Sequence, residues 1–159
     1  MSRELSKKAQ VVQEALREFG LSCEVVQLPD STRTAKEAAQ AIGCSVDQIA
    51  KSIVFKGIQT GRPYLVVARG TKRVDERKLE AIVREPVEKA DADFVRRETG
   101  FAIGGVPPLG HTKKIDTFID EGLSQHESLW AAAGTPHAVF KLTPEDLSRI
   151  TSGLIVKIS

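Results

Sequence analysis

Two β-rich stretches, Ser52–Lys56 and Pro63–Arg69, flank a Gly57-to-Gly61 turn, and this pairing constrains the fold more than any other feature of the chain. Strand-forming runs that close together read as a hairpin. The signals around it are of mixed kind. Ala9, Val12, Leu16 and Phe19 recur at helical spacing before Gly20, which predicts an amphipathic helix and its stop. Cys23–Leu28 reads as a short strand. Thr34-Ala35-Lys36-Glu37 and Ser45-Val46-Asp47-Gln48 are two capping boxes in succession, so two short helices are expected to lead into the hairpin. After it come a helix over Val74–Val83 capped by Asp75, a strand at Pro86–Lys89 and a helix over Asp91–Glu98 closed by Gly100. Strands at Ile115–Ile119, Leu129–Ala133, Ala138–Leu142 and Leu154–Ile158 follow. Thr143-Pro144-Glu145-Asp146 marks a helix between the last two, with a Thr cap, Pro at the first position and acids at the positive end of the dipole. Adjacent strand pairs together with helical crossovers predict an α+β fold with a mixed, largely antiparallel sheet flanked by helices. No Rossmann fingerprint and no P-loop is present, which removes the nucleotide-enzyme readings.

Composition narrows the class further. With 159 residues, 41% apolar and 28% charged, the chain is expected to form one domain over residues 1–159. Its longest apolar runs, such as Tyr64–Ala68, fall far short of a membrane span. Met1-Ser2-Arg3-Glu4 is charged, with no apolar signal segment behind it, so a cytoplasmic location is expected, with Cys23 and Cys44 as reduced thiols. Lys and Arg number 23 against 21 Asp and Glu, a net charge of +2. That balance argues against a broad, nonspecific nucleic-acid footprint.

Few segments carry chemistry on their own. Gly104-Gly105-Val106-Pro107-Pro108-Leu109-Gly110 is a stiff loop able to aim backbone N–H groups at a carbonyl, carboxylate or phosphate, and equally able to serve as a connector. Lys51 is expected at the end of the second short helix, where an amine either binds a phosphate or simply complements the helix dipole. His111, His126 and His137 lack metal-ligand spacing, neither cysteine belongs to a CxxC pair, and His126 reads as solvated. No metal site is expected. Arg69, Lys72, Arg73, Arg77 and Lys78 crowd one region, which matters only if it becomes a contiguous patch in space.

In combination, the ordered segments Thr34–Ala39, Gln48–Lys56, Thr99–Gly110 and Ala132–His137 resemble the YbaK/prolyl-tRNA-editing family, free-standing relatives of the editing domain inserted in bacterial prolyl-tRNA synthetase. The resemblance implies a partly barrel-like mixed sheet and hydrolysis of a mischarged aminoacyl-tRNA, without cofactor or metal. It places the hallmark lysine on Lys51 and the pocket glycine of the loop on Gly104, as the catalytic positions. It places substrate-binding positions on Thr34, Ser52, Gly105, Gly134 and His137. The implied partners are the acceptor end of a mischarged tRNA, such as tRNA(Pro), and an aminoacyl-tRNA synthetase such as prolyl-tRNA synthetase. Leu28, Ala132 and Val139 stand where Cys-tRNA(Pro) deacylases carry Tyr, Ser and Asp, which makes the pocket more apolar. Ala, Ser or Thr is then at least as good a substrate residue as Cys. The competing expectation is a non-catalytic module of the same fold that binds aminoacyl-tRNA or a synthetase.

Overall fold

The computed structural model describes residues 4–159. Each helix begins at a side-chain cap that the sequence provides. Ser6 accepts the Ala9 N–H to start α1 (Lys7–Glu18), and Thr34 accepts the Glu37 N–H to start α2 (Ala35–Ile42). Asp75 opens α3 (Glu76–Val83), Asp91 opens α4 (Ala92–Thr99), and Thr143, with Pro144 behind it, opens α5 (Pro144–Thr151). Such caps satisfy the orphan N–H groups of the first turn. The Ser45 box behaves differently: it closes a single 3₁₀ turn over Val46–Gln48, and a strand starts at the next residue. Lys51 is therefore the third residue of that strand rather than a helix C-terminus, because Ile49 and Ala50 are already held by a neighbouring strand. The dipole explanation for this lysine falls away.

The strands are β1 (Val25–Gln27), β2 (Ile49–Gly57), β3 (Pro63–Arg69), β4 (Val87–Lys89), β5 (Asp116–Asp120), β6 (Leu129–Ala132), β7 (Ala138–Leu142) and β8 (Leu154–Val156). They form one sheet in the order β1-β7-β6-β2-β3-β5-β8, with β4 also on β2. Four pairings are antiparallel (β1 with β7, β2 with β3, β2 with β4, β6 with β7) and three are parallel (β2 with β6, β3 with β5, β5 with β8). The α+β class and mixed sheet read from the sequence are present. The barrel-like element goes no further than an open sheet, whose ends β1 and β8 do not pair.

The central hairpin forms as expected, with Ser52 opposite Val67 and Phe55 opposite Tyr64. Both faces of the sheet are buried. On one side α1, α4 and α5 pack Leu16, Phe94 and Leu147 against Val54, Leu65 and Phe140. On the other, Leu79 of α3 packs against Phe55, Tyr64 and Val66. Beyond the hairpin, the outer edge of β2 is served in two pieces: β6 pairs with Ile49 and Ala50, and β4 pairs with Phe55 to Gly57. Between them, Lys51 to Val54 has no strand neighbour on that edge.

Candidate active site

A cavity of about 430 Å³ opens over this interrupted edge. Thr34, Lys51, Ser52 and Gly104, four of the residues expected to form a site, line it together with Ala132 and Val139. Each is positioned by local structure. Thr34 stands at the start of α2, where its hydroxyl is also bonded to Glu37 at 3.1 Å. Lys51 and Ser52 are consecutive in β2 and so face opposite sides of the sheet. Gly104 adopts φ +94° in the loop, and a Cβ there would lie 2.7 Å from Cγ of Arg33, whose alkyl stem lies across it. A smaller recess of about 240 Å³ adjoins the cavity, sharing Ser52, Ile53, Ile103, Gly104 and Val106, and is otherwise walled by Val54, Lys89, Ala90 and Val95.

Gly105, Gly134 and His137 do not line either space. They hold the wall from behind. The Gly134 N–H donates to the Gly105 carbonyl at 2.9 Å, and a Cβ on Gly105 would sit 2.8 Å from the Thr135 backbone. His137 is exposed and meets the Asp30 carbonyl through Nδ1 at 3.2 Å. Leu28 is likewise off the cavity; its N–H donates to the His137 carbonyl.

Two polar atoms stand out because nothing holds them. Thr32 Oγ1 and Ser52 Oγ are buried and have no hydrogen-bond partner among the described residues, and both residues border the cavity. Buried hydroxyls are ordinarily bonded, since leaving one unmade costs about 1–3 kcal/mol. Sequence reading missed Thr32, which no motif marks.

Electrostatics sharpen the picture. Beside the cavity, Lys51 and Ile53 form one wall of a further recess whose other walls include Arg73, Glu76 and Lys89. Burial first, and then the cations of Lys89 and Arg73, push the Lys51 ammonium below its usual range. None of these three cations forms an ion pair with another described residue. Arg33 and Lys36 add further positive charge to the main cavity. The basic run read from the sequence is divided in space. Arg69 is paired with the buried Asp120 at 3.3 Å, and Lys78 donates to the Ser159 carbonyl at 2.8 Å, while Arg73 joins Lys51. Lys89 had no sequence signal, because only the β2–β4 register brings it to the site.

The histidines and cysteines lie elsewhere. His126 is not solvated as expected: its Nε2 meets Asp47 at 2.7 Å, and Asp47 is also bonded by Thr71. Burial lowers the His111 pKa, and its Nε2 meets the Pro107 carbonyl at 2.7 Å, bracing the glycine–proline loop. Cys23 and Cys44 are free thiols, both pushed up by burial. No group of three His, Cys, Asp or Glu side chains that could hold a metal occurs among the described residues. Among the same residues, no helix is long and apolar enough to cross a membrane.

The site is thus a partly open cavity whose lining combines the cationic side chains Arg33, Lys36 and Lys51 with apolar residues and a wall that includes Gly104. The chain belongs to the aminoacyl-tRNA editing domain family, whose model matches residues 29–150. A crystal structure provisionally described as a trans-editing enzyme for prolyl tRNA synthetase is 45% identical, with a TM-score of 0.92 over 98% of this chain and 99% of that one. EbsC of Enterococcus faecalis, provisionally named a Cys-tRNA(Pro)/Cys-tRNA(Cys) deacylase, is 28% identical over 127 residues, 79% of this chain and 77% of EbsC. The proline–tRNA ligase of Elusimicrobium minutum is 30% identical over 110 residues, 67% of this chain but 19% of the ligase.

Proposed function

We propose that this protein is a cytoplasmic trans-editing hydrolase that deacylates mischarged aminoacyl-tRNA, removing a small amino acid such as Ala, Ser, Thr or Cys, with tRNA(Pro) as one acceptor. The observation that carries this reading is the junction of two environments at β2. On one face, Lys51 stands with Arg73 and Lys89. On the other, Ser52 borders a recess of about 240 Å³ walled mainly by apolar residues such as Val54, Ala90 and Val95, with Lys89 shared between the two. The 3′ end of an aminoacyl-tRNA has the same division, phosphate on one side of the terminal ribose and a single amino-acid residue on the other.

The chemistry asked of the protein is modest. Water adds to the ester carbonyl carbon, the bond to the ribose oxygen breaks, and that oxygen leaves with the proton given up by the water. Placement of the ester and stabilisation of charge on the carbonyl oxygen supply the acceleration. In this reading Lys51 and Gly104 touch the substrate: Lys51 neutralises a terminal phosphate, and Gly104 gives backbone access to the ester. Thr34 and Ser52 line its chamber, while Gly105, Gly134 and His137 support the walls. Burial and, secondarily, the neighbouring cations depress Lys51. A phosphate between the three cations would offset both by favouring the charged form, so this lysine works as a cation rather than as a Schiff-base nucleophile. Val139 and Ala132 leave the chamber apolar at two positions. Such a pocket separates near-isosteres by about 1–3 kcal/mol, so selectivity is shared with the tRNA or with a synthetase partner such as prolyl-tRNA synthetase.

A panel of tRNAs charged with Cys, Ala, Ser and Thr on several acceptors tests the reading. Release of at least one small residue well above the spontaneous rate is expected. No release from any member would transfer the reading to a binding module.

A further inference from the structure

The interrupted edge of β2 carries an inference that rests on the editing reading and deepens it. Gly57 N–H donates to the Arg62 carbonyl, and Gly70 N–H to the Ile49 carbonyl. With Ala50 opposite Arg69, these bonds fix the odd-numbered residues of β2 as those that bond β3. The even-numbered residues therefore turn their N–H and C=O groups to the outer edge. There the Val54 carbonyl accepts the Ala90 N–H at 3.1 Å, and Ala50 is paired with β6. Ser52 is the one outward-facing residue between them. An antiparallel β4 would place residue 92 opposite Ser52, but Asp91 caps α4 and turns the chain away. On the other side, β6 ends at Ala132, and Gly134 is drawn off to the Gly105 carbonyl. One rung of the ladder is missing, and the main-chain N–H and C=O of Ser52 face the opening.

We propose that the aminoacyl group of the substrate fills this rung, pairing with the main chain of Ser52 as a single antiparallel strand residue. In such a pair one residue exchanges both hydrogen bonds with its opposite. The Ser52 carbonyl accepts from the α-amino group, and the Ser52 N–H donates to the ester carbonyl oxygen, where charge develops during hydrolysis. Directly opposed residues place their side chains on the same face. The substrate side chain thus enters the face of Ser52 itself, toward Val54, Val95 and Val106, which border the smaller recess. A D-residue paired this way would turn its side chain toward Lys51. The ligand class is therefore an L-configured residue that retains an α-amino donor, recognised through its main chain.

The test uses the full chain with acceptor-stem microhelices carrying L-alanyl, D-alanyl or propanoyl esters, the last lacking the amine. L-Alanyl ester is expected to be hydrolysed at least tenfold faster, in kcat/KM, than either of the others. In parallel, a microhelix ending in non-hydrolysable 3′-(L-alanylamino)-3′-deoxyadenosine is added to isotope-labelled protein. The Ser52 amide is expected to shift and to slow its hydrogen exchange at least tenfold, while the Ala50 amide, already in the ladder, does not change. Equal hydrolysis of the three esters, or an unprotected Ser52 amide while other cavity signals move, overturns the missing-rung proposal and leaves the editing reading standing. Hydrolysis of none of the three while another residue of the charged-tRNA panel is released overturns this proposal alone. No release from any ester or panel member, with no cavity signal moving, overturns the editing reading and this proposal with it.

Discussion

Replacing Thr32 by Val should stabilise the protein and weaken its catalysis, two effects that a purely structural threonine could not produce together. The side chain is 5% exposed and its hydroxyl has no partner. Its backbone N–H is held by the Pro136 carbonyl at 2.6 Å, so the residue stays in place after substitution. An unbonded buried hydroxyl costs about 1–3 kcal/mol. Val exchanges it for a methyl group of similar size, and some of the gain is lost to imperfect packing. A net gain of about 1 kcal/mol is expected, which raises Tm by about 2–4 °C in a chain of this size. If the hydroxyl is unbonded because it waits for substrate, Val forfeits one neutral hydrogen bond worth about 0.5–1.5 kcal/mol in the bound state. The value of kcat/KM then falls by about two- to tenfold. Urea denaturation and deacylation kinetics on the same preparation measure both. Destabilisation by about 1 kcal/mol or more would show that the hydroxyl has a structural partner. Stabilisation with unchanged kcat/KM would show that it does not read the substrate.

Gly105→Ala places a methyl group 2.8–2.9 Å from three backbone atoms of Thr135, which cannot step aside as a side chain can. A loss of about 1–3 kcal/mol is expected in urea denaturation, with a larger fractional loss of deacylation as the Gly104 wall shifts. Changing Arg73 and Lys89 together to Gln should weaken binding of an acceptor-stem microhelix at low salt and flatten the dependence of log affinity on log salt by about 1.4 for two single-strand phosphate contacts; fluorescence titration reads this. Glu85 accepts from Tyr64 Oη at 2.5 Å and from Thr60, and these bonds hold its carboxyl at about 2, against an ordinary 4.5. A depressed carboxylate gives stability that is complete above the unfolded value and is lost as pH falls through the folded one. The Tm gap between the protein and Glu85→Gln should therefore be full above about pH 4.5 and close toward pH 2.

The elements whose signals are local were legible in the chain. The cap of α5 is set by Thr143 and Pro144, and β3 runs from Pro63 to Arg69 as its composition implies. Asp75 and Asp91 cap the helices they precede. The Ser45 box misled, since a box specifies how a turn begins but not how far it continues. Strand pairing at Ile49 ended this one after a single 3₁₀ turn, moving Lys51 into β2. His126 was misread for a related reason, its partner Asp47 being 79 positions away. For the candidate site, Thr34, Lys51, Ser52 and Gly104 came from family resemblance and converge on one cavity. The orphaned hydroxyl of Thr32, the cation of Lys89 and the missing rung at Ser52 all arise from register between distant segments. A net charge of +2 also looked unfavourable for a nucleic-acid partner. The structure gathers Lys51, Arg73 and Lys89 at one mouth, so the relevant charge is local.

The central claim is that this cavity hydrolyses aminoacyl-tRNA with Lys51 holding the substrate. Single-turnover deacylation of the best mischarged tRNA by the protein and by Lys51→Ala, each checked for fold by circular dichroism, tests it most directly. Loss of a charged hydrogen bond worth about 1.5–3 kcal/mol predicts a rate lower by about ten- to a hundredfold, with the fold intact. Equal rates in the two proteins would contradict the account.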